Sequence, residues 1–206
     1  MEKITVLYED NHLIAVAKPA GVLIDTLQNQ VKEYIKEKYQ KPGNVFLGMI
    51  HQLDRNVRGI VLFAKTSKGA SRLSEQLREH TVEKIYEALV EGELPASGTL
   101  QNFLVHDERE NYTKVYDHEI SRGQYAELSF IGKGNLARIA LETGRQHQIR
   151  AQFSHIGHPL VGDTKYGSKI SFPDQHIELC AVELSFTTAT GDERKKIVYD
   201  SGYGRK

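Results

Sequence analysis

The 206-residue sequence predicts an α+β fold in which a mostly antiparallel mixed sheet is flanked by helices. Short apolar runs separated by turn residues follow one another between residues 99 and 141, which is typical of antiparallel strands. Elsewhere, apolar residues recur at the spacing of amphipathic helices. The composition, 39% hydrophobic and 26% charged, supports one substantial core. Because neither a repeat nor a linker interrupts the chain, we expect a single domain over residues 1–206.

The N-terminal segment predicts a hairpin followed by a helix. Residues 4–8 and 13–18 have the composition of strands and are separated by a turn, and the run Lys18-Pro19-Ala20-Gly21 marks a second break. A helix that ends before Pro42 is predicted by apolar side chains at helical spacing, namely Leu27, Val31, Tyr34 and Ile35. We expect this face of the helix to pack into the core.

A polar turn that runs directly into an apolar strand, residues 51–65, is a candidate site. Residues 60–64 have the length and β-branched content of a strand buried on both faces. Asp54 lies in the turn before this strand, where a rigid loop can hold a charged side chain in a fixed orientation. An aspartate in a turn can equally bond its own backbone, and this stretch alone does not decide between the two roles.

The middle of the chain predicts a helix, a strand and a meander. Ser67 is the expected N-cap of a helix with Ala70, Leu73 and Leu77 on its apolar face. Residues 84–90 read as a strand, and alternation turns Tyr86 inward. The meander that follows has breaks at residues 106–111, 117–123 and 132–135.

The last part of the chain predicts one more helix and one more strand. After Gly144 a helix is expected whose apolar face is formed by Ile149, Phe153 and Ile156, with Arg150 projecting beside it. Residues 158–163 read as a rigid polar loop, and residues 178–188 as the last strand. Residues 194–206 form a basic tail that we expect to fray.

Charge is segregated along the chain although the formal net charge is zero, from 27 basic and 27 acidic residues. Six basic residues face three acidic ones between residues 54 and 80, and six face two between residues 132 and 170. A local basic patch is sufficient for phosphate binding, so a neutral chain can still offer a basic groove. Solvated faces produce the same pattern, and the charges alone leave both interpretations open.

Several classes of protein are disfavoured by the sequence. The N-terminus has no uninterrupted apolar core, so we expect no signal peptide, no membrane span and a cytoplasmic location. The single cysteine, Cys180, excludes intramolecular disulfides, and the histidines lack the compact spacing of a metal site. Glycine-rich phosphate loops and the elbow of serine hydrolases are absent from the sequence. A carboxylate pair for glycosidic chemistry, Asp54 with Asp163 or Glu142, stays open.

Five ordered motifs resemble those of one family. They are K-P-A-G at residues 18–21, H-Q-L-D-R-N-V-R-G-I-V-L-F-A-K at 51–65, K-I-Y-E-A-L-V-E-G at 84–92, L-E-T-G-R-Q-H-Q-I-R at 141–150 and H-P-L-V-G-D-T-K-Y-G at 158–167. From Tyr8 to about Phe186 the chain resembles the RluA family of RNA pseudouridine synthases. The resemblance implies the pseudouridine synthase fold with a central basic cleft. It also implies isomerisation of a uridine in a stem-loop of ribosomal or transfer RNA.

The resemblance further implies roles for individual residues. Asp54 would be the nucleophilic carboxylate, Tyr86 would pack against the flipped target base, and Arg150 would pair with the aspartate and favour its ionised form. Contacts to the RNA are expected from His51, Arg55, Arg58, Arg145, His147 and Gln148. No cofactor and no metal is implied, and we expect a monomer with no obligatory protein partner. Attack on the base, attack on the sugar and elimination all remain open as routes.

The sequence departs from the family pattern close to Asp54. Gln52 stands where the family usually has Arg, and Asn56-Val57-Arg58 replace a more typical Asp-Thr-Ser. We expect these changes to alter substrate placement rather than chemistry, although they also motivate a non-catalytic RNA-binding factor as an alternative. The chain starts at the catalytic module without the S4 RNA-binding domain of many relatives, so RNA affinity is expected from that module alone.

Overall fold

The computed structural model describes residues 4–191 and 193–204 of the chain, which form two compact units. The first unit contains the described residues up to Val82 together with Ala181–Tyr199. The second contains Glu83–Cys180 together with the described residues from Asp200 onward. The single domain expected over residues 1–206 stays a prediction, and the ends of that range lie outside the described residues.

Strands and helices occur where the sequence predicts an α+β fold, and that class is confirmed. In chain order the elements are β1 (Thr5–Glu9), β2 (Leu13–Lys18), α1 (Ile24–Lys38), β3 (Gly48–Met49), β4 (Arg58–Ala64), α2 (Ser67–Arg78), β5 (Glu83–Leu89), β6 (Ser97–Asp107), β7 (Tyr112–Tyr116), β8 (Gln124–Lys133), β9 (Leu136–Leu141), α3 (Gln148–His155), β10 (Leu179–Thr187) and β11 (Arg194–Val198). A short 3-10 helix, Thr164–Tyr166, precedes β10.

The sheet of the first unit is built around β4. Strand β2 pairs antiparallel with β4 from Leu13 opposite Ala64 to Lys18 opposite Gly59, and β1 pairs with β2. Strand β10 follows β4 in the strand order, and β11 pairs with β10. Every residue of β4 after Arg58 is buried, so the predicted strand with two buried faces is confirmed. The register places Lys18 beside the first residues of β4, next to the loop that carries Asp54.

Two amphipathic helices complete the core of the first unit. Helix α1 buries Leu27, Val31 and Ile35, as its spacing predicts. Helix α2 buries Leu73 in a cluster with residues of β2, β4 and β10. The predicted N-cap at Ser67 is wrong: Thr66 is the N-cap, because its extended backbone lets the side-chain oxygen accept the Gly69 amide at 3.1 Å.

The second unit contains the predicted meander. Its strands lie in the order β5-β9-β8-β6-β7, and each neighbouring pair is antiparallel. The core lies on the face that meets α3, where the rings of Phe130 and Phe153 are 5.3 Å apart. Tyr86 is buried, so its predicted inward orientation is confirmed. The predicted helix face is wrong at its end, because α3 stops at His155 and leaves Ile156 37% exposed.

The C-terminal segment differs from the predicted fraying tail. Residues 178–188 contain β10 as expected, but β11 follows and pairs antiparallel with it, so β10 is not the last strand. Ile197 of β11 is buried in the first unit. Further on, the hydroxyl of Ser201 donates to the Glu87 carboxylate in the second unit. Because these contacts bury or pair the segment, the prediction of fraying is wrong for the described part; Arg205 and Lys206 lie outside it.

Candidate active site

Lys18 anchors the loop that carries Asp54. Its side chain is fully buried, and its ammonium donates to the carbonyl oxygen of Val57 at 2.7 Å. The same ammonium donates to the carbonyl oxygens of Arg55 at 3.0 Å and Pro19 at 3.1 Å. One buried cation therefore fixes the backbone on the C-terminal side of Asp54 and joins it to the K-P-A-G turn.

The electrostatics of Lys18 and Asp54 are linked. Burial lowers the pKa of Lys18 to about 8, and the negative charge of Asp54 opposes this shift. Asp54 itself is half-buried, and its carbonyl accepts the amide of Val57 at 3.1 Å in a tight turn. A carboxylate at this position thus combines partial exposure with a braced backbone, as a group needs in order to react with an outside molecule.

Close packing at the start of β4 explains the glycine of the motif. Gly59 has φ of +125°, and a Cβ atom there would lie 2.3 Å from the carbonyl oxygen of Ala181. Only glycine combines this backbone conformation with such a close approach. Val57, two residues before Gly59, is 2% exposed, so the departure from the family pattern at this position lies in the core.

The three predicted RNA contacts around Asp54 have different environments. His51 Nε2 accepts the amide of Leu62 at 3.1 Å, which places the ring hydrogen on Nδ1 while the ring is neutral. Arg55 is exposed, and its Nε donates to the carbonyl of Gly21 at 3.1 Å, while the Gly21 amide donates back to the Arg55 carbonyl at 2.8 Å. Arg58 is half-buried at the first position of β4. Their roles in RNA binding stay predictions.

Tyr86 and Lys84 lie on the first strand of the second unit. The Tyr86 side chain is 8% exposed, which suits a ring that packs on one face against the protein. Burial lowers the pKa of Lys84, an effect that Glu142 opposes and Arg145 reinforces. A Cβ atom on Gly144 would lie 3.3 Å from the Lys84 ammonium, so the absence of a side chain there leaves room for this lysine.

Arg150 is held in plane by a second buried carboxylate. Its Nε donates to Asp163 Oδ2 at 2.7 Å, and its Nη2 donates to Asp163 Oδ1 at 2.9 Å. Both side chains are buried, with exposed fractions of 7% and 1%. This bidentate geometry fixes the orientation of the guanidinium as well as its position. The pairing of Arg150 with Asp54 stays a prediction.

The ring of Tyr166 covers the face of the same guanidinium. The Arg150 Cζ atom lies 4.9 Å from the Tyr166 ring centroid, in cation–π contact. The Tyr166 hydroxyl lies 2.9 Å from His147 Nδ1 and accepts the amide of Thr113 at 2.8 Å. His147 is buried in the left-handed conformation directly before α3. Two predicted site residues, His147 and Arg150, thus share one aromatic neighbour.

Gln148 braces the loop that precedes α3. Its Oε1 accepts the hydroxyl of Thr143 at 2.8 Å and the amide of Arg145 at 3.0 Å, and its Nε2 donates to the Glu127 carbonyl at 3.0 Å. These contacts bury Gln148 and give it a role in loop geometry. Arg145 is exposed, and its Nε donates to the Tyr125 carbonyl at 2.9 Å. Substrate contact by either residue stays a prediction.

Two residues with defined contacts, Lys18 in the first unit and Tyr166 in the second, carry no role in the sequence interpretation, and Asp163 enters it only as an alternative partner of Asp54 in a carboxylate pair. All three lie in quoted motifs and are buried. A lysine or aspartate at a turn is ordinarily solvated, so only its place in a motif signals a function. Among the described residues, no group of three or more His, Cys, Asp or Glu could hold a metal ion. No helix in the described ranges is long and apolar enough to cross a membrane.

Comparison with known sequences gives a consistent result. A model of the RNA pseudouridylate synthase family matches residues 12–155. Ribosomal large subunit pseudouridine synthase D of Pseudomonas aeruginosa is 32% identical over 181 residues, which are 83% of this chain and 56% of that protein. tRNA pseudouridine synthase C of Haemophilus ducreyi is 33% identical over 186 residues, 80% of this chain and 74% of that protein. The chain spans about half the length of several of these curated relatives.

Solved structures show the same fold. Human RNA pseudouridylate synthase domain containing 1 superposes with a TM-score of 0.78 at 23% identity, over 97% of this chain and 84% of that one. Human RNA pseudouridylate synthase domain containing 4 superposes with a TM-score of 0.77 at 21% identity, over 95% of this chain and 88% of that one. At these identities the likeness concerns the fold, and the predicted fold class is confirmed.

Proposed function

Because the chain belongs to the RNA pseudouridine synthase family, we propose that it isomerises a specific uridine of ribosomal or transfer RNA to pseudouridine. The observation that carries this proposal is the family match over residues 12–155, which contains Asp54, Tyr86 and Arg150 within their motifs. The relatives' names divide between ribosomal and transfer RNA enzymes, so the proposal keeps both RNA classes.

The reaction demands groups of the kinds these motifs carry. The bond between ribose C1′ and uracil N1 breaks, the base rotates, and C1′ bonds to C5 while C5 loses a proton and N1 ends protonated. Atoms and charge balance within the nucleoside, so no cofactor is required. We propose that the Asp54 carboxylate is the nucleophile and that Arg150 pairs with it. The three residues are assigned to one reaction by the motifs in which they lie.

The target uridine has to leave its stack before it can react. A flipped base loses stacking, and an aromatic ring such as that of Tyr86 can replace part of it. Basic side chains of the motifs, including Arg55, Arg58 and Arg145, then serve to hold the flanking phosphates. This division of tasks accounts for segregated charge in a chain with zero net charge.

The braced position of Asp54 supports catalysis over simple RNA binding. A binding protein has no need of a buried lysine that fixes the backbone beside one carboxylate, and the desolvation of that lysine opposes folding. The contacts from Lys18 to the carbonyls of Arg55 and Val57 are understandable if the carboxylate must hold a reactive orientation. The altered residues Gln52 and Arg58 concern the approach of RNA rather than this brace.

Asp54→Ala is the test of the proposed function. A strain lacking the gene is complemented with wild type, Asp54→Ala or Asp25→Ala, and pseudouridines in ribosomal and transfer RNA are mapped chemically. Asp25 is an exposed carboxylate in the first turn of α1 and serves as the matched control. We expect wild type and Asp25→Ala to restore the same site and Asp54→Ala to restore none. Restoration by Asp54→Ala, or no site that depends on the gene, would overturn the proposal.

A further inference from the structure

Tyr166 contacts two of the proposed site residues at once, and neither contact has a role in the proposed reaction so far. The side chain is 2% exposed. Its ring lies 4.9 Å from Arg150 Cζ, and its hydroxyl oxygen lies 2.9 Å from His147 Nδ1. The residue belongs to the H-P-L-V-G-D-T-K-Y-G motif at residues 158–167.

The direction of the hydrogen bond between Tyr166 and His147 follows from the other partner of the hydroxyl. The backbone amide of Thr113 can only donate, and it donates to the Tyr166 oxygen at 2.8 Å. Burial raises the pKa of Tyr166, against the opposing effect of the Thr113 amide, so the phenol keeps its hydrogen at neutral pH. Of the two hydrogen-bond partners of this hydroxyl, the Thr113 amide and His147 Nδ1, only Nδ1 can accept, and we place the hydrogen in that bond.

We propose that Tyr166 is a positioning residue that holds His147 in the tautomer with its hydrogen on Nε2 and supports the guanidinium face of Arg150. A neutral imidazole carries one ring hydrogen, so an accepting Nδ1 leaves the hydrogen on Nε2. With Nδ1 accepting, the orientation of the His147 ring and the direction of its Nε2 hydrogen are both fixed. The catalytic part of this inference rests on the proposed function; the tautomer does not.

The surroundings of Thr113 keep its amide in place for this task. Its hydroxyl donates to the Gln146 carbonyl at 2.8 Å, so its bond to His106 Nδ1 at 2.9 Å must be donated by the histidine. The ring of Tyr112 stacks on that of Tyr166 at 4.6 Å and 14°. The Thr113 amide is therefore a donor in a fixed position for the Tyr166 hydroxyl, and the Tyr166 ring is fixed from one side.

Protonation of His147 would disturb its hydrogen bond to Tyr166. Arg150 lies one helical turn further on, with its cation against Tyr166, and Asp163 is engaged with that cation through both oxygens. Protonation of His147 would add a second cation here and would turn Nδ1 into a donor. The Tyr166 hydroxyl would then lose the acceptor that it has at 2.9 Å. The ring of His106 also faces His147 and is titratable; the two ring centroids are 5.6 Å apart.

Nitrogen NMR of histidine-labelled protein tests the tautomer directly. His147→Gln identifies the His147 signals by their loss. In wild type at neutral pH we expect the coupling pattern of an imidazole protonated at Nε2. Tyr166→Phe keeps the ring over Arg150 but removes the hydroxyl, and we expect it to give a mixture of tautomers. Tyr112→Phe removes a hydroxyl from the stacked neighbouring ring and is the matched control, with an expected wild-type pattern.

Single-turnover kinetics on the RNA identified by mapping test the consequence for the reaction. We expect Tyr166→Phe to lower the rate constant about tenfold, the loss expected from one oriented hydrogen bond, with RNA affinity and melting temperature close to those of Tyr112→Phe. A wild-type His147 protonated at Nδ1 would overturn the proposal without any variant. So would equal rate constants for Tyr166→Phe and Tyr112→Phe. If wild type modifies no RNA, the proposed function fails while the tautomer is still decided by NMR.

Discussion

The loop that carries Asp54 and the loop that precedes α3 hold proposed site residues by different means. The first is fixed by a single buried group, the Lys18 ammonium, which binds the backbone carbonyl oxygens of Arg55 and Val57, both after Asp54, and that of Pro19. The second, residues 142–147, is fixed by several neutral groups, among them the Gln148 amide and the Thr143 hydroxyl. Both loops lie next to a regular element, β4 in one unit and α3 in the other.

The difference bears on how each loop responds to change. A single charged anchor concentrates the stabilisation in one residue, and its loss exposes several carbonyls at once. A network of neutral partners distributes the stabilisation over several residues, so the loss of any one of them lowers the free energy of unfolding by less. We therefore expect the Asp54 loop to be sensitive to one substitution and to pH, and the loop before α3 to be tolerant of both.

Lys18→Met should have the largest effect. Methionine fills a similar volume, but the carbonyls of Pro19, Arg55 and Val57 lose their common donor. We expect the free energy of unfolding to fall by about 3 kcal/mol, less than the sum of the separate losses because a buried charge is also removed. Urea denaturation measures this, with Lys36→Met on the exposed face of α1 as the control. Equal stability of the two variants would show that Lys18 is not the anchor.

The next effect that we expect is a change of the free energy of unfolding with pH, which comes from Lys18. The pKa of Lys18 in the folded protein is about 8, below the ordinary value of 10.5. Between these values the unfolded chain binds the proton and the folded protein does not, so the contribution of Lys18 to stability increases as pH rises from about 8 to about 10.5 and is lost again as pH falls through 8.

The measurement for this second prediction is the difference in free energy of unfolding between wild type and Lys18→Met at several pH values. We expect the difference to grow by about 3 kcal/mol from neutral pH to beyond the ordinary lysine pKa. The variant itself corrects for all other titrating groups, including Lys84, whose pKa is also lowered by burial. A difference that stays constant with pH would mean that Lys18 titrates as an ordinary lysine.

The sequence predicts those features of the fold that depend on local burial, but it does not predict the contacts that depend on how distant segments pair. Periodicity identifies β4, α1 and the inward face of Tyr86 because these depend on local burial. The anchoring by Lys18 depends on the register of β2 against β4, which no local pattern contains. Likewise, Asp163 and Tyr166 meet Arg150 only because residues 158–167 return to α3. The basic composition of residues 194–198 predicts part of a tail rather than β11, because it gives no sign of the one buried side chain, Ile197.

Gln148→Ala should have the smallest effect and thereby sharpens the contrast between the loops. The substitution removes an acceptor for the Thr143 hydroxyl and for the Arg145 amide. Thr143 still has the Glu127 carbonyl 3.4 Å from its hydroxyl, and Arg145 is exposed, so water can replace the lost acceptor. Alanine also suits the first position of a helix. We expect a loss of about 1 kcal/mol in the free energy of unfolding.

A double-mutant cycle with Thr143→Val decides whether this loop is a distributed network. If Gln148 and Thr143 support each other, the double variant should lose less stability than the sum of the single variants, with a coupling of about 0.5 kcal/mol or more. Additive losses would mean that each side chain acts on its own. A loss from Gln148→Ala as large as that from Lys18→Met would remove the contrast, because the loop before α3 would then also depend on one side chain.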